Sequence, residues 1–343
     1  MWNCRGARKK NTGNFLRHLV ACNEVGLVGL VETKVEEISR LEVDRLVGRE
    51  WDFFHHPAVG RSGGLLLAWR RDILKVEVVV ATDQCVIGQV VLPSLVRWNV
   101  ALVYGHKDYH VRRQLWETLG SVLSPDVPTI AGGDFNCCIS QDEKKGGKRF
   151  RLSAGAQEMM TALSQLDLHD LGFSGPRYTW SNNKEGASRI WVHLDRILIN
   201  SDGLKLAPFA SVKHLNCLAS DHCPLLLQLG LEQRHPSPKW LRFEDIWTSF
   251  PASWRVVSKA WERLDVGNPV EVVNLKCRRT LRALHFWSKH KIRDLGVRKK
   301  DLEERIEQLQ QDDCSVWGLM PEQDAELRTA VAEFHSTLAR LST

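Results

Sequence analysis

The sequence predicts an α/β fold, with two packed β-sheets flanked by helices, followed by an all-α C-terminal segment. Three observations carry that expectation. Residues 25–31 form one continuous apolar run, the mark of a strand covered on both faces. Short apolar stretches at 51–55, 63–69, 73–80, 86–92 and 98–103 are separated by turn residues, as in a meander or sandwich sheet. After residue 239 the apolar residues recur in steps of three and four, the period of helices. With 343 residues the chain is long enough for one large domain and a small one.

The elements follow in order. Trp2-Asn3-Cys4-Arg5-Gly6 opens the chain, and Phe15, Leu16, Leu19 and Val20 then recur at helical spacing. Glu32-Thr33-Lys34 ends the buried strand, where an acid caps a following helix as readily as it serves a site. Tyr104-Gly105-His106-Lys107 ends the strand at 98–103, and 112–123 reads as an amphipathic helix. A short buried strand at 127–131 leads into Gly132-Gly133-Asp134-Phe135-Asn136. Residues 141–151 form a polar, mostly basic loop, and 156–166 read as a helix. Tyr178-Thr179-Trp180 is a short β piece, and 191–199 is a strand containing Leu194-Asp195-Arg196. Ser220-Asp221-His222-Cys223-Pro224 leads into a last strand at 225–229.

A linker is expected at 232–239, where Pro236 and Pro238 flank a serine, so the domains are expected at 1–231 and 240–343. Beyond it Phe250, Trp254, Val257, Trp261 and Leu264 form one apolar stripe. Leu302, Ile306 and Leu309 form a second, and Leu327, Val331, Phe334, Leu338 and Leu341 a third. Such stripes pack helices on each other or on the first domain. The basic stretch 276–305 is explained equally by a solvated helix face and by a nucleic-acid contact.

Composition narrows the class. The chain is 43% hydrophobic and 26% charged, as in ordinary soluble proteins, and its net charge of +6 leans towards an anionic partner. Nine cysteines with no CxxC pair suggest neither a zinc site nor a disulfide framework. No stretch resembles a signal peptide, and the apolar runs are too short to span a membrane. A reduced, intracellular protein, nuclear or cytoplasmic and not secreted, is expected.

The pentapeptide at 132–136 organises the functional reading. Its glycines let the backbone turn at the strand end and leave room for a ligand. Strand alternation would point Asp134 and Asn136 the same way, with Phe135 opposite. A carboxylate beside a carboxamide can orient a water and hold an anionic oxygen next to a hard cation; a tight turn closed by Asp explains the same residues. Asn3, Glu32, Tyr104, Asp134, Asn136, Asp195, Asp221 and His222 all lie at or near ends of predicted strands. Strand ends on one edge of packed sheets converge, and α/β enzymes place their sites there. The oxygen-rich set suits Mg²⁺, and one His beside a carboxylate suits proton transfer near neutral pH. Phosphodiester hydrolysis uses such a combination.

The motifs Trp-Asn-Cys-Arg-Gly, Glu-Thr-Lys, Gly-Gly-Leu-Leu-Leu-Ala-Trp, Tyr-Gly, Gly-Gly-Asp-Phe-Asn, Tyr-Thr-Trp, Leu-Asp-Arg and Ser-Asp-His-Cys-Pro occur in that order. Over about residues 1–230 this resembles the endonuclease/exonuclease/phosphatase superfamily, and within it the abasic-endonuclease-like domain of plant LINE-type (non-LTR) retrotransposons. Arg242-Phe243-Glu244-Asp245-Ile246-Trp247 resembles the helical connector that precedes reverse transcriptase in such elements, although no polymerase follows in this sequence.

The resemblance implies a DNase I-like four-layer sandwich and a Mg²⁺- or Mn²⁺-dependent endonuclease that nicks one strand of DNA, with RNA as a second candidate substrate. It makes Glu32 the main metal ligand, helped by Asn3, with Asp221 completing the acidic cluster at a second metal position. It gives Asp134 the attacking water, Asn136 a phosphate oxygen, and Tyr104 the phosphate or leaving group. Asp195 would orient His222, and His222 would contact the scissile phosphate. Lys144, Lys145, Lys148, Arg149 and Arg151, just after the catalytic strand, are expected on substrate phosphates. Lys107 departs from the pattern. So does the short first strand, which predicts a loosely held Asn3 and unpaired neighbours. The helical tail is expected to be dispensable for chemistry. A silent nucleic-acid-binding remnant and a phosphatase of the same superfamily are the competing readings.

Overall fold

The computed structural model describes residues 1–343 other than 61, 92–95, 231–242, 244–246, 249, 315–317 and 342–343. The expected linker at 232–239, residue 92 and most of the 242–247 motif lie outside the described residues. The chain forms two compact units. One comprises Met1–Leu231 with Glu307–Ala325, the other Glu232–Ile306 with Glu326–Thr343. Among the described residues no helix is long and apolar enough to cross a membrane.

The first unit is a mixed α/β arrangement of packed sheets flanked by helices. Its four-stranded sheet comprises β1 (Trp2–Asn3), β2 (Leu27–Val31), β3 (Trp51–Val59) and β4 (Ser62–Arg70), in the order β1-β2-β4-β3. The six-stranded sheet holds β5 (Lys75–Ala81), β6 (Cys85–Val91), β7 (Arg97–Tyr104), β8 (Thr129–Asp134), β10 (Leu168–Asp170) and β13 (Asp195–Asn200). Its order is β10-β13-β8-β7-β6-β5, with β7 and β8 parallel. The two sheets bury one face against each other, through Val31, Leu65 and Leu67 of the first and Val86 and Leu102 of the second. The other face of the larger sheet, including Ile87, Val103, Ala131 and Leu198, is covered by α3 (Tyr109–Val122) and α4 (Ala154–Gln165) through Leu115, Leu119, Met159 and Leu163. Helix α1 (Lys10–Cys22) sets Phe15 edge-on against Trp2 of β1, with ring centroids 5.7 Å apart. Helix α2 (Arg40–Leu46) begins at a Ser39–Glu42 capping box. The short α5 (Ser201–Leu206) starts where the Asn200 side chain accepts from the Gly203 amide.

A small sheet of β11 (Trp180–Ser181), β12 (Trp191–Val192) and β9 (Lys144–Lys145) and a hairpin of β14 (Ser211–His214) and β15 (Leu225–Gln228) complete the strands. The stretch read as one strand at 191–199 is therefore two. β12 pairs in the small sheet and β13 in the large one, because the chain changes partners at His193-Leu194 without losing its apolar character. The basic loop is likewise partly strand: Lys144 and Lys145 pair with Val192 and Trp191.

Three further expectations are corrected. The glycines do not turn the chain at the strand end, since β8 runs straight through them to Asp134. A Cβ on Gly133 would lie 2.0 Å from the Val103 carbonyl oxygen, so glycine there lets the neighbouring strand come close. Asn3 is fully buried rather than loose. Met1 exchanges main-chain hydrogen bonds of 2.8 Å with Leu225, the Trp2 indole donates to the His222 carbonyl, and the Ser220 hydroxyl donates to the Asn3 carbonyl. The two-residue strand is thus held from both sides. Finally, Cys217 and Cys223 form a disulfide that closes the loop carrying Asp221 and His222, where no disulfide was expected. A six-residue spacing without a motif gives no sequence signal for it.

The second unit is helical. Helix α6 (Pro251–Glu262) packs on α7 (Pro269–Cys314) through Trp247, Leu284, Val257 and Leu281. Trp254, Trp261 and Leu264 of the first stripe remain exposed. Within this unit α7 and α8 (Pro321–Leu341) are joined by Arg298–Glu333 at 2.8 Å and Arg305–Glu326 at 2.7 Å, so the basic stretch uses part of its charge internally. The segment Glu307–Ala325 groups with the first unit instead. There Arg189 is clasped between Asp313 and Asp324, at 2.7 Å from Asp324, and Lys145 Nζ donates to the Asp313 carbonyl at 2.6 Å.

Candidate functional site

Register places the site. Asp195 pairs with Asp134 across β13 and β8, and Asp134 with Tyr104 across β8 and β7, so three candidate side chains leave adjacent strands at one edge. In the other sheet Asn3 pairs with Val31, which puts Glu32 beside it. The loop after β14 brings in Ser220, Asp221 and His222 and bridges His222 to Trp180. Arg5, Glu32, Lys34 and Asn136 all adopt positive φ, a costly conformation for these residues that recurs at functional sites.

At the centre lies a buried cluster. His222 Nδ1 is 2.9 Å from Asp195 Oδ2, and its Nε2 is 3.8 Å from Asp134 Oδ2. All three side chains are buried. The Thr179 hydroxyl accepts from the Asp195 amide at 2.9 Å and fixes the strand end. Burial, and then the charge of Asp195, push the Asp134 carboxyl up to about 6. Burial alone would lower the His222 imidazole, but Asp195 and Asp134 outweigh it and hold it up at about 9. The cluster therefore balances its own charge by keeping a proton on the imidazole.

Asn3 joins this cluster to a second. Its Nδ2 donates to Asp134 Oδ2 at 2.9 Å and lies 3.4 Å from both Glu32 Oε1 and His222 Nε2. Its Oδ1 accepts from the Arg5 amide at 3.3 Å. Glu32 Oε1 accepts from the Tyr104 hydroxyl at 2.9 Å, while Oε2 has only ion pairs, with Lys34 at 3.5 Å and Arg5 at 3.7 Å. Burial would raise the Glu32 carboxyl, but the charge of Arg5 and the Tyr104 and Asn3 hydrogen bonds bring it below the ordinary carboxylate range. Burial, and then Glu32, push the Tyr104 hydroxyl far up, so it stays protonated and donates.

The structure brings together Asn3, Glu32, Tyr104, Asp134, Asp195 and His222. Asp221 is set to one side, with Oδ1 3.0 Å from Arg5 Nε and Oδ2 accepting from the Trp180 indole at 3.0 Å. Asn136 has left the strand: its amide donates to Asp134 Oδ1 and its side chain to the Gly105 carbonyl, both at 2.9 Å, so alternation does not govern its direction. Of the basic residues, Lys148, Arg149 and Arg151 are exposed, and Lys144 and Lys145 half-buried. Arg5, Lys34 and Trp180 stand inside the sequence motifs, but sequence reasoning gives them no role. Their place two residues after Asn3 and Glu32 is the available signal for the two cations.

The donors fit a hard divalent cation. Glu32 is ionised and its Oε2 makes no hydrogen bond among the described residues. Asp134, Asp195 and His222 also offer ligand atoms within 4.8 Å of one another, a set able to hold a cation. An ion bound to His222 would have to displace the proton that both carboxylates stabilise, so Glu32 is the better anchor.

Residues 2–222 match the endonuclease/exonuclease/phosphatase family. No curated protein matches the chain. The fold is similar to that of an AP endonuclease from Leishmania major, at 16% identity and a TM-score of 0.51 over 65% of this chain and 84% of that one. It is also similar to an AP endonuclease from Archaeoglobus fulgidus, at 15% identity and a TM-score of 0.51 over 66% of this chain and 96% of that one.

Proposed function

This chain belongs to the endonuclease/exonuclease/phosphatase family, and on that premise we propose that it is a divalent-metal-dependent phosphodiester hydrolase that nicks one strand of DNA. The observation that carries the reading is the buried relay of Asp195, His222 and Asp134, joined by Asn3 to an ionised Glu32. Asp195 fixes the His222 imidazole, and the protonated ring presents positive charge to the scissile phosphate. Asp134 aligns the attacking water and takes its proton, which requires the carboxylate form. Asn136 would hold a phosphate oxygen with the amide hydrogen it does not give to the Gly105 carbonyl, and Tyr104 keeps Glu32 in place and would contact the phosphate or the leaving group. Glu32, with Asn3 beside it, would hold Mg²⁺ or Mn²⁺, which when bound supplies positive charge against the phosphate.

The exposed Lys148, Arg149 and Arg151 support a nucleic acid as substrate. The order of the eight motifs supports descent from a plant LINE-type retrotransposon. Conversion of supercoiled plasmid to open circles tests the activity. It is expected with Mg²⁺ or Mn²⁺ and absent in EDTA. Purified chain that leaves the plasmid supercoiled with either ion would overturn the reading.

A further inference from the structure

We propose that Arg5 is the site's second cation. It supplies, between Glu32 and Asp221, the charge that another divalent ion would bring, so the site takes one ion and the guanidinium takes the substrate phosphate. This rests on the hydrolase reading and deepens it.

The geometry is specific. Arg5 Nε lies 3.0 Å from Asp221 Oδ1 and 3.7 Å from Glu32 Oε2, and so spans the two acids of the site that stand outside the buried relay. Both oxygens of Asp221 are already engaged. The Ser220 hydroxyl lies 3.3 Å from Oδ1, and the Trp180 indole donates to Oδ2. A metal at Asp221 would have to break the guanidinium pair and meet a fixed positive charge at contact distance. Glu32 Oε2 carries no such hydrogen bond and remains available to one ion.

The backbone is committed to this placement. Arg5 sits at φ +49°, and its amide is tied to Asn3 Oδ1. A non-glycine residue held there is over-determined by its surroundings. No hydrogen bond engages its Nη1 or Nη2 among the described residues, and 29% of the side chain stays exposed. Nε meets Asp221 as an ion pair without a hydrogen bond, so the guanidinium is held by charge on one side, and its terminal fork matches the two oxygens of a phosphodiester. Asp221 then serves as a positioning residue that holds Arg5.

Counting Mn²⁺ bound to the full chain, by the electron paramagnetic resonance signal of free Mn²⁺, tests the first half. Wild type is expected to bind one ion, Arg5→Gln two, and Arg5→Lys, which keeps the charge, one. Affinity for a short duplex in EDTA tests the second half. It is expected to fall roughly tenfold or more in both variants, because neither keeps the fork. Unchanged melting temperature in Arg5→Lys keeps that comparison clean; if it melts early, Arg5→Gln alone is scored. Wild type that nicks plasmid and binds two ions, or an Arg5→Gln chain that holds duplex as tightly as wild type, overturns the assignment and leaves the hydrolase reading standing. A chain that binds no Mn²⁺ and nicks nothing overturns both.

Discussion

The two groups of acids on either side of Asn3 balance their charge by different means. Asp134 and Asp195 are each 1% exposed and share one buried imidazole. Glu32 and Asp221 instead stand against Arg5 and Lys34, whose side chains keep 29% and 37% of their exposure. In the buried cluster a proton does the balancing, with Asp134 raised to about 6 and His222 to about 9. A half-open cluster balances with the cationic side chains of Arg5 and Lys34, and the Glu32 carboxyl stays below its ordinary range.

The largest effect expected of this contrast is on turnover. His222→Ala and Asp134→Ala should each slow plasmid nicking by roughly 10²–10⁴-fold, and raising Mg²⁺ should not restore them. Glu32→Ala should also lose activity, but part of it should return at high Mg²⁺, because what is lost is affinity for an ion. Rates across a Mg²⁺ titration separate the two patterns. Recovery of Asp134→Ala along the same curve as Glu32→Ala would erase the distinction.

Burial makes a similar difference elsewhere in the same unit. Arg189 lies between Asp313 and Asp324, and all three side chains are largely buried. Arg189→Ala strands two acids out of water, at a cost of about 3–5 kcal/mol in denaturant unfolding. The exposed Arg113–Glu158 pair is screened by solvent, and Arg113→Ala should leave the midpoint almost unmoved. Equal midpoints for both variants would mean that Glu307–Ala325 adds nothing to the first unit. A large loss at Arg189 would show that Glu307–Ala325 is tied into the first unit, whereas the expectation that the tail is dispensable for chemistry is tested by nicking in a chain ending near Glu232.

These contrasts also explain what the sequence made legible. Strand and helix periods are local, so most strands of the two large sheets, α3 and α4 are legible, and strand ends stand out as site candidates. Whether Asp221 joins Glu32 or Arg5 depends on a loop at the far end of the first unit's chain from Arg5, and no period encodes that. The same holds for Arg189, whose partners come from Glu307–Ala325. The disulfide was hidden because two cysteines without a motif look like any others. Alternation failed at Asn136, which follows the strand in a left-handed conformation. The Ser39–Glu42 capping box, by contrast, is written in the sequence as a Ser-x-x-Glu spacing, but the helix it opens is only seven residues long and shows too little periodicity to stand out.

A smaller effect should appear in stability against pH, measured without metal. The His222 imidazole is raised from 6.5 to about 9, so its contribution is fully present below about pH 6.5 and is lost as pH rises through about 9. Asp134 is raised from 3.8 to about 6, so its contribution is also present at low pH and is lost as pH rises through about 6. Both act in the same direction, Asp134 as pH rises from about 4 to 6 and His222 from about 6.5 to 9, so melting temperature in EDTA should fall from about pH 4 to about pH 9. His222→Gln should flatten the upper part of that fall. A wild-type curve level across that range would show that the buried cluster does not hold its proton as described.

The smallest expected effect lies on the surface, where the same contrast divides the basic loop. Lys148, Arg149 and Arg151 are exposed, whereas Lys144 and Lys145 are half-buried, and Lys145 Nζ already donates to the Asp313 carbonyl. Gly146 and Gly147, both at positive φ, carry the chain from the paired strand β9 to the exposed part. A Cβ on Gly146 would lie 2.2 Å from the Arg189 carbonyl oxygen, so this turn is fixed against the small sheet. If the loop meets a phosphate backbone, the exposed three are free to do so, and each phosphate they neutralise releases a counter-ion. Replacing them with neutral residues should reduce the slope of log affinity against log salt by up to about 0.9 for each duplex phosphate left without its cation. Neutralising Lys144 and Lys145 should change the slope less and melting temperature more, since Lys145 serves a contact within the fold. Duplex binding between low and moderate salt, in EDTA so that no cleavage intervenes, gives both slopes. Equal slopes in the two variants would make the loop a uniform charged surface, and equal slopes in wild type and the exposed triple variant would remove it from the interface.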